Sequence, residues 1–123
     1  MAKKKRNTGI FYLPVEQAVY VPSTTVNQKL ISMKARKKRV AEVKKYLSTR
    51  FGGYTSVSSQ GGYYSTDRKK LIQEPVAVVT SFAKTKDYRD HIKELKKQLR
   101  VWKKRWHQES MGYSHEGDLY YFS

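Results

Sequence analysis

Apolar residues recur along the chain with two periods, and these periods predict its secondary structure. Val15, Val19 and Val21 share one parity, as expected for a strand over residues 15–21 with one buried face. Pro22 and the Ser/Thr residues after it end this strand. A stripe at spacings of three and four then predicts a first helix from about residue 32 to 50. Its members are Met33, Arg36, Val40, Val43 and Leu47.

The middle of the chain predicts two adjacent strands. Gly52-Gly53 ends the first helix, because glycine readily adopts the left-handed conformation of a helix C-cap. Residues 54–65 predict a strand in which Gly61-Gly62 indicates a bulge or a close backbone approach. After a polar turn at residues 66–69, residues 71–82 predict a central strand, since both of its faces are nearly apolar. Pro75 is then expected at a bulge or near the strand start.

A single apolar seam predicts the second helix. Thr85 or Asp87 is expected to cap this helix. Its seam steps by four, three, four, three and four residues and consists of Tyr88, Ile92, Leu95, Leu99, Trp102 and Trp106. Gly112 is assigned to the loop that follows, and residues 118–122 predict a short last strand.

The predicted order is strand, helix, strand, strand, helix, strand. This order is typical of the ferredoxin-like split β-α-β arrangement. We therefore predict an α+β fold in which two helices cover one face of a four-stranded antiparallel sheet. Residues 1–13 are interpreted as a basic flexible tail, and residues 14–123 as a single ferredoxin-like domain.

Charge changes the picture most. The chain holds 26 Lys and Arg against 10 Asp and Glu, a formal net charge of +16. A small domain usually carries a net charge of magnitude about 2–8. A phosphate backbone is the commonest partner that neutralises such an excess, so RNA or DNA is the predicted partner. No apolar run could span a bilayer, and a cytoplasmic location is expected, or a nuclear one in a eukaryotic host through Lys3–Arg6.

Short motifs over residues 15–122 resemble an uncharacterised family of small bacterial and phage proteins with a domain of unknown function. These motifs are residues 19–24, 46–55, 61–65, 72–79 and 105–110. The resemblance implies a ferredoxin-like fold, in agreement with the pattern of the elements. It implies no function and no site residues.

The function predicted from these features is a non-enzymatic, largely sequence-nonspecific nucleic-acid-binding module. It would be accessory to a larger nucleoprotein assembly or encoded by a phage. Lysine predominates over arginine, which favours backbone contact over base readout. The candidate binding residues are Lys37, Lys38, Lys44, Lys45, Lys93, Lys96, Lys97, Arg100, Lys103 and Lys104, with Tyr63 as a base-stacking candidate. For Tyr63 the simpler alternative is cross-strand packing.

Two alternative functions stay open. His107, Glu109 and His115 could supply acid/base groups of a small metal-dependent nuclease, although their spacing matches no metal motif. The chain could also be an interaction or inhibitor module that docks on an acidic protein. An open sheet face could in addition form a homodimer. No cofactor and no resident metal are predicted.

Overall fold

The computed structural model describes residues 9–123, and Lys3–Arg6 of the predicted tail lie outside the described residues. The described chain forms one antiparallel sheet of five strands in the order β2-β3-β1-β4-β5, with two long helices. The elements are β1 (Val15–Pro22), α1 (Met33–Phe51), β2 (Thr55–Ser65), β3 (Lys70–Ala83), α2 (Thr85–Arg105), β4 (Met111–His115) and β5 (Asp118–Phe122). The predicted α+β class is confirmed.

The predicted number of strands is wrong. Residues 111–115 form β4 beside β1, where Val19 pairs with Tyr113, and residues 118–122 form the edge strand β5. Met111 and Tyr113 are buried and flank Gly112, so the segment does alternate with a period of two. This alternation extends over only five residues and includes a glycine, which explains why the sequence suggested a loop.

Both helices pack on the same face of the sheet. Val19, Val21 and Val79 of the sheet meet the buried residues of both helices in one core. The predicted seam of α2 is confirmed, with Leu95, Leu99 and Trp102 fully buried and the other members in or against the core. These contacts anchor α2 on the sheet.

The predicted stripe of α1 is wrong at its start. Met33, the first residue of α1, is 59% exposed. Arg39 is buried instead, and its guanidinium donates to the carbonyl oxygens of Pro22 and Thr24 at 2.8 Å each. It also lies 5.0 Å from the ring centroid of Trp106. A buried cation is tolerated here because both hydrogen bonds and the ring compensate it.

The β2–β3 ladder continues without interruption from Thr55–Thr80 to Ser65–Lys70. The expected bulge at Gly61-Gly62 is therefore wrong, but the close approach is real: a Cβ on Gly62 would lie 3.0 Å from the Ile72 carbonyl oxygen. β1 pairs with β3 from residue 76 onward, so residues 60–65 and 70–75 project as a two-stranded arm. Pro75 lies in this arm, where β3 does not pair with β1, so no hydrogen bond to β1 is lost through its missing N–H.

The ends of the helices follow the sequence in part. Gly52 adopts φ 107° and caps α1, as predicted. The N-cap of α2 is Lys84, which makes no side-chain cap hydrogen bond, so the predicted cap by Thr85 or Asp87 is wrong. Asp87 lies in the first turn, where a carboxylate favours the helix dipole. In the described chain no helix is both long and apolar enough to cross a membrane.

Within residues 9–123, no α-helix packs on the sheet face opposite α1 and α2. We call this face the open face. Side chains alternate between the two faces of a strand, so the residues that alternate with the core-facing ones point to the open face. Its apolar members are Tyr20, Val57, Val76, Val78, Phe82, Leu119 and Tyr121.

Candidate functional site

A cavity of about 400 Å³ opens where α1 ends, α2 begins and the first described residues pass the sheet. This volume falls in the range of about 300–1,000 Å³ that is usual for small-molecule sites. Its lining residues are Phe11, Leu13, Phe51, Gly52, Gly53, Tyr54, Thr55, Thr80, Phe82, Lys84 and Asp87. Phe11 and Leu13 belong to the predicted tail, whose boundary at residue 13 stays a prediction.

Helix termini and a short loop position the cavity walls. The left-handed Gly52 reverses the chain after α1 and brings Tyr54 to the start of β2. The Ser81 hydroxyl of β3 donates to the Gly53 carbonyl oxygen at 2.7 Å, which fixes this loop against the sheet. The cavity wall at residues 52–54 is therefore held by α1, through the Gly52 cap, and by β3, through Ser81.

Aromatic rings supply most of the apolar lining. Phe51 is buried in the core, whereas Tyr54 and Phe82 are about half exposed at the cavity. The Lys44 ammonium lies 5.2 Å from the Tyr54 ring centroid. Such rings can stack on a flat heterocycle or face a cation.

Two charged side chains reach the cavity, Lys84 and Asp87. Asp87 is half-buried and makes no salt bridge with any residue of the described chain. Asp90, one turn later, is instead paired with Lys86 at 2.7 Å. Asp87 is thus a carboxylate available to a ligand in a protein that is otherwise strongly positive.

The basic residues predicted to bind nucleic acid lie on the helices and do not line the cavity. Most are exposed, while Lys44 and Lys103 are partly buried. The Arg100 guanidinium donates to the Ser123 carbonyl oxygen at 3.4 Å and lies 5.2 Å from the Phe122 ring. The exposed set is Lys37, Lys38, Lys45, Lys93, Lys96, Lys97, Arg100 and Lys104.

Tyr63 lies on the arm and is 54% exposed. Its hydroxyl oxygen accepts a hydrogen bond of 2.9 Å from the Gln28 amide. Glu74 projects from the same side of the arm, since Tyr63 pairs with Ile72 and Gly61 pairs with Glu74. Tyr63 and the distant cavity are therefore separate places on the molecule.

The structure does not assemble the histidines and carboxylates of the hypothetical nuclease site. His107 is exposed, with φ 54°, just beyond α2, and Glu109 is exposed in the same loop. His115 stacks on Tyr88 at the far end of β4, with ring centroids 4.7 Å apart. Residues 9–123 contain no group of three or more His, Asp or Glu residues able to hold a metal ion.

A buried polar pair under α2 was not predicted. The Tyr113 hydroxyl donates to the Gln17 side-chain oxygen, and the Gln17 amide nitrogen has no partner in the described chain. Burial raises the pKa of Tyr113 well above its ordinary value. The signal was present in the sequence, because Gln17 has the same parity as the core residues Val15 and Val19.

Comparisons with known proteins add one structural likeness. No described protein family and no curated protein matches the chain, so the resemblance to an uncharacterised family stays a proposal. A solved structure, a phage SAM lyase in complex with S-methyl-5'-thioadenosine, matches with a TM-score of 0.59 at 14% identity. The match covers 89% of this chain and 88% of the lyase chain. At this identity the likeness shows the shared fold.

This comparison overturns the predicted function. The structure that shares the fold is an enzyme bound to a nucleoside, not a nucleic-acid-binding module or a nuclease. Net charge misled because the lysines predicted to bind nucleic acid lie on the helices and do not line the cavity. The residues that form the cavity come from three separate segments, 11–13, 51–55 and 80–87, and make no motif.

Proposed function

We propose that this protein is a lyase that cleaves S-adenosylmethionine and releases methylthioadenosine. The observation that carries the proposal is the fold shared with a phage SAM lyase along nearly the whole chain. The cavity at the α1–α2 end of the sheet supports it, since it combines aromatic rings with one unpaired carboxylate.

The chemistry of the substrate fits these side chains. S-adenosylmethionine joins a flat adenine to a sulfonium cation and an amino-acid group. Tyr54 and Phe82 offer rings on which an adenine can stack. The Asp87 carboxylate attracts the sulfonium or the ammonium, and Lys84 attracts the substrate carboxylate. A local carboxylate matters here, because a net charge of +16 otherwise repels a cationic group.

The reaction needs neither water nor an electron acceptor. The bond between sulfur and the carbon chain of the amino acid breaks, and its electron pair passes to sulfur, which loses its positive charge. The carbon fragment is then completed by attack of its own carboxylate oxygen, or by loss of a neighbouring proton to a base such as Asp87. Aromatic walls favour the step, because a site of low dielectric constant destabilises the sulfonium charge, which the cleavage removes.

A second acidic and aromatic corner competes for the same role. Glu74 and Tyr63 share one side of the arm, Glu74 is half-buried, and no salt bridge to it is found within residues 9–123. The Gln28 amide occupies a lone pair of the Tyr63 oxygen, which leaves the hydroxyl proton available to a ligand. The arm is less enclosed than the cavity, so we place the substrate in the cavity first.

Paired variants separate the two places. We expect Asp87→Asn to lower the rate of methylthioadenosine formation by about a hundredfold, as expected for loss of an electrostatic or base contribution. Asp90→Asn is the matched control on the same helix and should keep the wild-type rate, since Asp90 faces Lys86. Activity that survives Asp87→Asn but is lost in Glu74→Gln would move the site to the arm. Absence of turnover in the wild-type protein would refute the function itself.

A further inference from the structure

The open face exposes an unusual amount of apolar surface for a chain so rich in charge. Val57 is 57% exposed, Leu119 51% and Tyr121 69%. Tyr20, Val76 and Val78 lie between them on the central strands and are partly exposed. These residues form a continuous band across the sheet, whereas scattered single exposed apolar residues would need no explanation.

Charge is segregated away from this band. α1 holds eight basic residues and α2 holds nine of the 26 in the chain, all on the opposite side of the sheet or at its rim. Charged strand residues that share the open face are Glu16, Lys70 and Glu74, and they lie at the start of β1 or on the arm. Among the strand residues of the described chain, the centre of the open face is therefore uncharged.

This distribution selects the kind of partner. An acidic macromolecule would gain most on the lysine-rich helices, so it does not account for the open face. A second copy of this chain repels the first through its helices. Two copies that meet through their open faces place the helices on the outside, as far apart as the fold permits. At physiological salt, charges separated by more than about 8 Å are largely screened.

The size of the face also fits. Five strands about 4.8 Å apart, with residues about 3.3 Å apart along each, give a projected area of roughly 500 Å². Side chains roughen this surface, so its accessible area exceeds the projected one and is of the same order as the value of about 800 Å² per partner found in stable complexes. That is about a tenth of the 8507 Å² exposed by the single chain.

We propose that the protein self-associates through its open face, with the band from Val57 to Tyr121 against the same band of a second copy. This inference does not depend on the lyase activity. Apolar contact holds the copies together and the net charge opposes them, so added salt should strengthen the association. A contact held by ion pairs would respond in the opposite direction.

Sedimentation velocity of the full chain, treated with nuclease to remove bound polyanions, tests this. We expect a species of twice 14.4 kDa whose share grows with protein concentration, and grows further from about 0.1 to 1 M NaCl. Val57→Glu should raise the dissociation constant at least about tenfold, because it introduces like charges into the contact. Val101→Glu is the matched control, since Val101 is 47% exposed on α2.

Circular dichroism establishes that each variant is folded, and Leu119→Glu on β5 replaces Val57→Glu if the latter does not fold. A monomer at every concentration and salt would overturn the proposal. So would an oligomer that survives both open-face variants, or one that Val101→Glu dissociates equally. An association that salt weakens would indicate a partner held by charge and would also overturn it.

Discussion

Replacement of Trp102 by alanine should remove a large part of the stability of the fold. Trp102 is fully buried on α2, stacked on Trp106 with ring centroids 5.6 Å apart and edge-on to Tyr46 at 5.4 Å. Its indole nitrogen donates to the Glu42 carboxylate at 2.8 Å. The substitution thus opens a cavity between the two helices and deletes two ring contacts and a hydrogen bond.

The magnitude follows from these contacts. Truncation of a buried aromatic ring to alanine typically costs about 3–5 kcal/mol. The hydrogen bond to Glu42 adds little, because the Glu42 side chain is 41% exposed and water replaces much of the contact. Small domains are stable by only about 5–15 kcal/mol, so this one change removes about a fifth or more of the total. The melting temperature should fall by about 12–20 °C.

Urea unfolding followed by circular dichroism measures the change, with Val101→Ala as the control. Val101 is the preceding residue of α2 but is about half exposed, so its truncation should shift the free energy of unfolding by less than about 0.5 kcal/mol. A loss below about 1 kcal/mol for Trp102→Ala would refute the packing described for the core. An equal loss in both variants would indicate a defect of the helix rather than of the core.

Three further predictions follow from local features. Gly52→Ala should cost about 1 kcal/mol in unfolding experiments, since Gly52 has φ 107°, whereas Gly53→Ala should be nearly neutral; equal costs would contradict the cap. Burial raises the pKa of Glu42, but hydrogen bonds from Trp102 and Arg105 outweigh it and hold that pKa below 4.5. Its stabilising contribution is present above about pH 4.5 and is lost as the pH falls through the folded pKa, so Glu42→Gln should show a shallower loss of urea midpoint in acid. Burial raises the pKa of Tyr46 to about 12, so stability should fall above pH 10, and Tyr46→Phe should reduce that fall.

The elements that the sequence predicted well are those with long, regular patterns. The seam of α2 extends over six apolar positions, and burial confirmed each of them as core or packed against it. Gly52 predicted the end of α1 because few residues other than glycine accept its backbone conformation. Local chemistry was enough in both cases.

The features that the sequence missed depend on contacts between distant segments. β4 is stabilised by pairing with β1 and β5, and five residues around a glycine carry too weak a period to reveal it. The burial of Arg39 depends on carbonyl groups 15 and 17 residues earlier and on the ring of Trp106 at the C-terminal end of α2. The cavity joins Phe11, Phe51, Phe82 and Asp87, and no spacing along the chain announces that they meet.

Net charge was the most visible property and the least informative about chemistry. A surplus of lysine reports on the surfaces of α1 and α2 and on what the protein repels or attracts at a distance. The few carboxylates are more telling, because they differ in burial and in whether a cation pairs with them. Glu42, Asp90 and Glu94 form salt bridges, whereas Asp87 and Glu74 are half-buried and form none within residues 9–123. Of these two, Asp87 lines the cavity.

The most direct test is incubation of the purified wild-type protein with S-adenosylmethionine, followed by mass spectrometry of the products. The proposed function predicts that methylthioadenosine accumulates in proportion to the substrate consumed, with an equal amount of the four-carbon fragment as a lactone or an unsaturated amino acid. Unchanged substrate, or conversion to S-adenosylhomocysteine by methyl transfer, would contradict it.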